Sequence, residues 1–399
     1  MQLLAKLRGA HAHLVLLNTL HILNDGYQAS FMLLLPFISK SSHLSLTKVG
    51  SLGTVLNLTA LAIVIPASGL ARRLGSLRTL LLALFVYATG FLGASLAGTY
   101  IRLVMMFIVS GLGYGIFHPL AFGLIAKWSP KETLGRTMGN FTAIGDVGRI
   151  GISAALSFLI VHFGWRHTTL LYVLLAFTTG LVIVLYMRKN SDRITPPERP
   201  IKQKLTAWQI LKSPRYIYAV AANALDSFAS DSLYVFLPFL LLHRGIHPAL
   251  LGSFTAAFFF GNIFGKTLLG RVADRVGKAS VFISAEVLMA LFIFLLAGSS
   301  AAWAIISCAI VLGVFTKGTQ PVQKSMIAEA VEHHGNYDKA FSLATLASNT
   351  TKTIAPITLG FIASTAGIVW TFNTMAIVVL AAAIPGTLFY LSKKPVLDA

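Results

Sequence analysis

Eight ionisable side chains interrupt stretches that are otherwise apolar: Asp25, Asp146, Arg149, Asp226, Asp231, Glu286, Lys317 and Lys352. A charge at mid-membrane costs about 2.5–3.5 kcal/mol or more unless it pairs or meets water, so a set of this size predicts a polar interior. Asn18, His21 and Asp25 recur at i, i+3 and i+7 with Asn24 beside them, which is a polar stripe on one helical face. Asp25 is a candidate proton carrier, because alternate exposure to water and to a buried cavity would switch its protonation. His21 is a candidate proton relay or substrate ligand; the alternative for both is an interhelical hydrogen-bond cluster. Thr142, Asp146, Arg149 and Ser153 form a second stripe, with Asp146 and Arg149 at ion-pair spacing. Either those two are a static pair, or Arg149 is released to hold an anionic substrate while Asp146 takes a proton.

Asp226 and Asp231 accompany Asn223, Ser227, Ser230 and Tyr234. On an ideal helix two residues five apart diverge by about 140°, so the two acids are not expected to line one cavity together. Lys317 shares a face with Gln320 near Pro321, and Lys352 joins Thr345, Ser348 and Asn349 one turn before Pro356. Prolines loosen the backbone where helices bend. Each lysine either neutralises Asp226 or Asp231 or attracts an anion. His118, ahead of Pro119, is a candidate substrate contact whose alternative is packing. Candidate proton-coupling residues are thus Asp25, Asp146, Asp226 and Asp231. Candidate substrate contacts are His21, Asn24, His118, Arg149, Lys317, Gln320, Asn349 and Lys352.

The elements that must position these residues are legible in composition. Of 399 residues, 56% are hydrophobic and 11% charged, against about 25% charged in a soluble domain, which excludes a water-soluble globule and, equally, disorder. Mean hydropathy is +0.76. A spanning helix needs roughly 20 apolar residues, and twelve stretches qualify: 13–39, 47–71, 77–97, 101–126, 137–162, 168–187, 216–242, 249–270, 280–298, 302–326, 340–366 and 368–391. The expected fold is an all-α integral membrane protein of twelve transmembrane helices in two six-helix pseudo-repeat bundles. The bundles would span 1–187 and 216–399, joined by a basic cytoplasmic linker over 188–215 that holds Pro196, Pro197 and Pro200.

The net charge of +19 is dispersed in short clusters between apolar runs, which argues against nucleic acid and for membrane topology. With the N-terminus inside, most of the 32 Lys and Arg residues fall on the cytoplasmic side. A multi-pass protein of the cytoplasmic (inner) membrane with both termini cytoplasmic is therefore expected. The lone Cys308 allows no internal disulfide and no cysteine-built metal site. No phosphate loop, zinc-hydrolase spacing or nucleophile elbow occurs, so no enzyme, cofactor or metal is expected.

Leu70-Ala71-Arg72-Arg73-Leu74-Gly75 resembles Val272-Ala273-Asp274-Arg275-Val276-Gly277, 202 residues on. The second copy, extended as Gly270 to Lys278, resembles the loop signature G-x-L-A-D-R-x-G-R/K of the major facilitator superfamily. In that family the loop is a conformational latch, which the resemblance carries to Asp274, Arg275 and Gly277, with Glu286 expected in support. The first copy departs from the signature at Ser68 and Arg72. Gly115-Ile116-Phe117-His118-Pro119 and the run from Gly139 to Arg149 are similar to fosmidomycin-resistance-type exporters. The glycine series Gly145, Gly148, Gly151 lacks the proline of the family's antiporter signature. The resemblance implies a secondary transporter that rocks two halves around a midplane site. With three cavity cations, the expected activity is proton-coupled export of a small polar, anionic organic solute, such as a phosphonate or polycarboxylate. Alternatives are an importer of an organic anion such as a carboxylate, a multidrug efflux carrier and a non-transporting membrane receptor. The expected partners are the small-molecule substrate, protons and membrane lipid, and a monomer is expected.

Overall fold

Every regular element among the described residues is helical; the computed structural model describes residues 2–128, 134–189, 210–331 and 337–392. In chain order the helices are α1 (Gln2–Ser41), α2 (Leu46–Leu74), α3 (Ser76–Leu96), α4 (Tyr100–Trp128), α5 (Leu134–Lys189), α6 (Pro214–Ser230), α7 (Leu233–His243), α8 (Leu251–Val276), α9 (Lys278–Gly298), α10 (Ala302–Ala330), α11 (Tyr337–Thr365) and α12 (Ile368–Leu391). A 3-10 turn, Pro248–Leu250, precedes α8. Positions 190–209 of the expected linker lie outside the described residues.

Nine stretches among the described residues are long and apolar enough to cross a membrane, fewer than the twelve expected. The difference has two physical causes. The fifth and sixth expected spans run together as Asn140–Arg188, broken only at Gly164, whose φ of 74° departs from helix inside α5. Helices α1 and α11 fall short because they carry the polar stripes, Asn18 to Asp25 in one and Thr345 to Lys352 in the other. The seventh expected span is also interrupted, since α6 stops at Ser230 and α7 begins at Leu233.

The short sequence repeat has a backbone counterpart. Gly75 (φ 86°) and Gly277 (φ 106°) each precede the next helix in a conformation that disfavours any residue with a Cβ. The chain divides into two compact units, the first comprising 1–44, 52–201 and 247–256 and the second 45–51, 202–246 and 257–399. The sequence-based boundaries place 45–51 and 247–256 the other way round.

In the first unit α1 lies directly on α5. A Cβ at Gly148 would sit 2.3 Å from the Ile22 carbonyl oxygen, and one at Gly26 would sit 2.9 Å from the Gly148 carbonyl oxygen. Glycine thus permits backbone approach closer than any side chain allows. Tyr27 Oη donates to the Tyr172 carbonyl (2.7 Å), and Tyr172 Oη to the Ile152 carbonyl (2.5 Å). Phe31 packs edge-on to Tyr87 and tilted against Phe91 and Phe107. Gly111, Gly113 and Gly115 of α4 are packing positions as well, against Leu56, Ala83 and Ala60. In the second unit the core gathers Tyr216, Phe282, Met326 and Phe389, and Tyr216 Oη donates to the Ala340 carbonyl (2.6 Å).

This packing yields a paired prediction. Gly148→Ala places a methyl against backbone that cannot move cheaply, so it is expected to cost about 1–3 kcal/mol and lower the melting temperature in detergent. Gly151→Ala meets open space and is expected to cost nothing. Equal melting temperatures for the two variants would refute the close α1–α5 contact.

Candidate functional site

Helices α1, α4 and α5 converge on one carboxylate in the first unit. Asp25, 1% exposed, receives Arg149 Nη2 at 2.8 Å and His21 Nε2 at 3.1 Å on Oδ2, and His118 Nε2 at 3.2 Å on Oδ1. Asn24 Nδ2 donates to the same Oδ1 at 3.1 Å. Arg149 reaches Asp146 in turn, Nη1 to Oδ1 at 2.6 Å, and Asp146 is fully buried. The pair expected from i,i+3 spacing is therefore present, and the guanidinium bridges it to a second acid on another helix. That bridge follows from the glycines: α1 and α5 are close enough for Arg149 to touch Asp25 because Gly148 lies against Ile22 and Gly145 against the His21 and Asp25 side chains. His21 Nδ1 meets the Phe141 carbonyl at 2.9 Å, and its ring stacks on Phe141 at a 3.9 Å centroid separation. Ser153 Oγ donates to the Arg149 carbonyl.

The second unit has its own cluster, centred on Asp231. Lys317 Nζ of α10 contacts Oδ1, and Lys352 Nζ of α11 contacts Oδ2 at 2.9 Å. Tyr234 lies beneath Lys317, 5.4 Å from Nζ to ring centroid, and its hydroxyl accepts from Asn262 Nδ2 at 3.1 Å. Asp226, 2% exposed, accepts from Gln323 Nε2 at 2.7 Å. Both acids meet side chains of α10, Asp226 through Gln323 and Asp231 through Lys317, six positions apart on that helix. Asp231 and Ser232 keep right-handed helical backbone angles (φ −76°, ψ −26° and φ −77°, ψ −19°), while the hydrogen bonding tightens there, Ser232 N–H donating to the Ala229 carbonyl. Gln320 and Asn349 are half-buried, and it is Gln323, not Gln320, that bonds an acid.

The two clusters differ in formal charge. Asp25 and Asp146 face one arginine, whereas one aspartate faces Lys317 and Lys352. At ion-pair distance the first thus has two acids to one cation and the second two cations to one acid, with Asp226 a further acid of the second unit bonded to Gln323.

Residues 17–243 and 219–398 each match the Major Facilitator Superfamily. The chain belongs to that superfamily. Among relatives, it is 23% identical over 301 residues to the uncharacterized MFS-type transporter YcaD of Escherichia coli strain UMN026, covering 75% of this chain and 76% of that one, and it matches the strain K12 / DH10B protein to the same extent. Among solved structures, it shares its fold with a bacterial homologue of the human lysosomal transporter Spinster. The unoccupied inward-facing form aligns at TM-score 0.76 and the occupied inward-facing form at 0.77, both at 13% identity over 96% of this chain and 97% of that one. As a member of the Major Facilitator Superfamily it is a multi-pass membrane transporter with two repeated domains, in a family whose members are generally not enzymes.

At the superfamily's loop signature the ion pairs fall elsewhere than expected. Asp274 and Arg275 are exposed. Glu329 takes the central place instead, accepting from Arg215 Nη2 at 2.5 Å and lying 3.2 Å from Lys278 Nζ, beside a cavity of about 180 Å³ lined by Gly277, Ser280 and Phe389. Glu286 is not part of this cluster. It is fully buried eight residues into α9, about 12 Å along the axis from Lys278, and neither carboxylate oxygen has a hydrogen-bond partner among the described residues. Glu329 and Gln323 were missed in the sequence: six positions apart on α10 they point about 120° apart, so no shared face marks them, and their partners lie on other helices.

Proposed function

We propose that this superfamily member is a secondary active transporter of a small polar organic anion, working by alternating access and coupled to protons in the export direction. The single observation that supports the anion is the pair Lys317 and Lys352 converging on one carboxylate, two cations to one acid at ion-pair distance in a half-buried polar setting. Arg149, with Asn24, His21 and His118 around it, offers a second cationic contact. Gln320 and Asn349, on the same helices as Lys317 and Lys352, complete the proposed substrate set.

Coupling is assigned to Asp25 and Asp146, which compete for one guanidinium. Protonation of either weakens its hold on Arg149, and the released arginine is then available to an anion. A proton moved across 100 mV is worth about 2.3 kcal/mol, enough to bias one such exchange. Asp226 and Asp231 are proposed in the same role in the second unit. Export rather than import rests on similarity of the His118-Pro119 and Gly139–Arg149 segments to fosmidomycin-resistance-type exporters. The proposal places a monomer in the cytoplasmic membrane with both termini and the 188–215 linker inside, between halves 1–187 and 216–399. Asp274, Arg275 and Gly277, with Glu286 in support, are proposed as latch residues.

Reconstitution in liposomes with an imposed pH gradient tests this. Saturable, gradient-driven flux and counterflow of a phosphonate or polycarboxylate are expected. Asp25→Asn is expected to keep counterflow and lose gradient-driven accumulation by at least tenfold. Uncoupled, unsaturated flux, or binding without flux, would replace the reading with a channel or a receptor.

A further inference from the structure

His21 presents an unresolved demand. Its Nδ1 faces the Phe141 carbonyl, which can only accept, so that nitrogen carries the hydrogen. In the neutral ring Nε2 is then a bare lone pair. It lies 3.1 Å from Asp25 Oδ2, in a residue 1% exposed, and has no hydrogen-bond partner among the described residues. A lone pair facing a carboxylate oxygen at that distance is repelled, and Arg149 Nη2, 2.8 Å from the same oxygen, is aimed at the carboxylate and leaves the nitrogen itself unsatisfied.

We propose that His21 Nε2, Asp25 and His118 Nε2 form a binding site for a divalent late first-row transition-metal ion such as Zn²⁺, Co²⁺ or Cu²⁺. The three ligand atoms lie within 4.8 Å of one another. Metal bonds to nitrogen and oxygen are about 2.0–2.2 Å, so two ligands of one ion stand about 3–3.5 Å apart and aim past each other at a shared point. The separations of 3.1 Å from His21 Nε2 to Oδ2 and 3.2 Å from His118 Nε2 to Oδ1 match for a carboxylate that presents both oxygens to the ion, and His21 Nε2 makes no hydrogen bond that would compete. The Nδ1 contact to a backbone carbonyl is the outer-shell bond that metal-ligating histidines make. Two imidazoles and a carboxylate suit this class of ion.

Gly145 packs directly on the two buried ligands: a Cβ there would lie 2.4 Å from Asp25 Oδ2 and 2.7 Å from His21 Nε2, so any larger residue would crowd the site. Arg149 Nη2, 2.8 Å from the same oxygen, opposes a cation, but Asp25 and Asp146 together outweigh it by one charge. The His118 side chain, 30% exposed, supplies the way in. The site does not depend on which anion is carried.

The test uses detergent-purified full-length protein stripped with chelator, in a His162→Gln/His167→Gln background that removes two exposed histidines. Calorimetry with Zn²⁺ is expected to give one saturable site per chain. His118→Gln and Gly145→Ala are each expected to weaken it at least tenfold, the second without removing any ligand. Paramagnetic resonance of the Cu²⁺-loaded background protein is expected to show two coupled imidazole nitrogens, a readout that needs no further variant. Absence of a saturable site, affinity unmoved in folded His118→Gln and Gly145→Ala, or oxygen-only coordination of Cu²⁺ would each overturn the assignment.

Discussion

Arg149→Ala is expected to be the most damaging single substitution in the first unit. Asp25 and Asp146 are 1% and 0% exposed, and both lean on this one guanidinium. Removing one partner of a buried ion pair costs about 3–5 kcal/mol, and here two acids lose the same cation at once. His21, His118 and Asn24 still surround Asp25 after the change. The expected result is a sharp drop in folded, monodisperse protein and in melting temperature, with flux abolished. Arg149→Gln combined with Asp146→Asn swaps the pair for two amides of similar shape. It is expected to restore folding while flux stays lost, which separates the arginine's structural role from its role with substrate. A stable Arg149→Ala protein that still drives anions against a pH gradient would contradict both parts.

How much of this was readable beforehand depends on the range of the interaction. Asp146 and Arg149 are three apart on one helix, and Asn18 through Asp25 fall within two turns, so helical spacing alone puts each set on a face. His118 is different. Nothing local ties it to Asp25, 93 positions earlier, and its arrival there depends on where α4 packs. The proposed metal-ligand grouping was invisible for the same reason: His21 and Asp25 share an i,i+4 spacing, but two ligands make no site and the third arrives only by packing. The two loop glycines, Gly75 and Gly277, were found from a six-residue repeat, and both adopt positive φ. That succeeded because backbone conformation is dictated at the residue itself. That Lys317 reaches Asp231 was readable only as one of two pairings, because whether it meets Asp226 or Asp231, 91 or 86 positions earlier, is decided by helix packing and not by spacing.

Lys352→Ala and Asp231→Asn are expected to move anion binding in opposite directions. Lys317 and Lys352 share Asp231, so deleting one lysine leaves a balanced pair and removes the positive excess. The Lys352 side chain is 28% exposed and Lys317 only 12%, which makes Lys352 the cheaper to remove without harming the fold. A hydrogen bond to a charged group contributes about 1.5–3 kcal/mol, so anion affinity in Lys352→Ala should fall roughly ten- to hundredfold. Asp231→Asn keeps the shape and withdraws the competing negative charge from both lysines. The anion is then expected to bind more tightly and leave more slowly, lowering KM and kcat together, since affinity differences reside chiefly in dissociation. Measuring equilibrium binding and initial flux on the same preparations distinguishes this from a purely structural triad. In that case both variants would lose stability in proportion to burial, and neither would change the affinity for anion in the protein that remained folded.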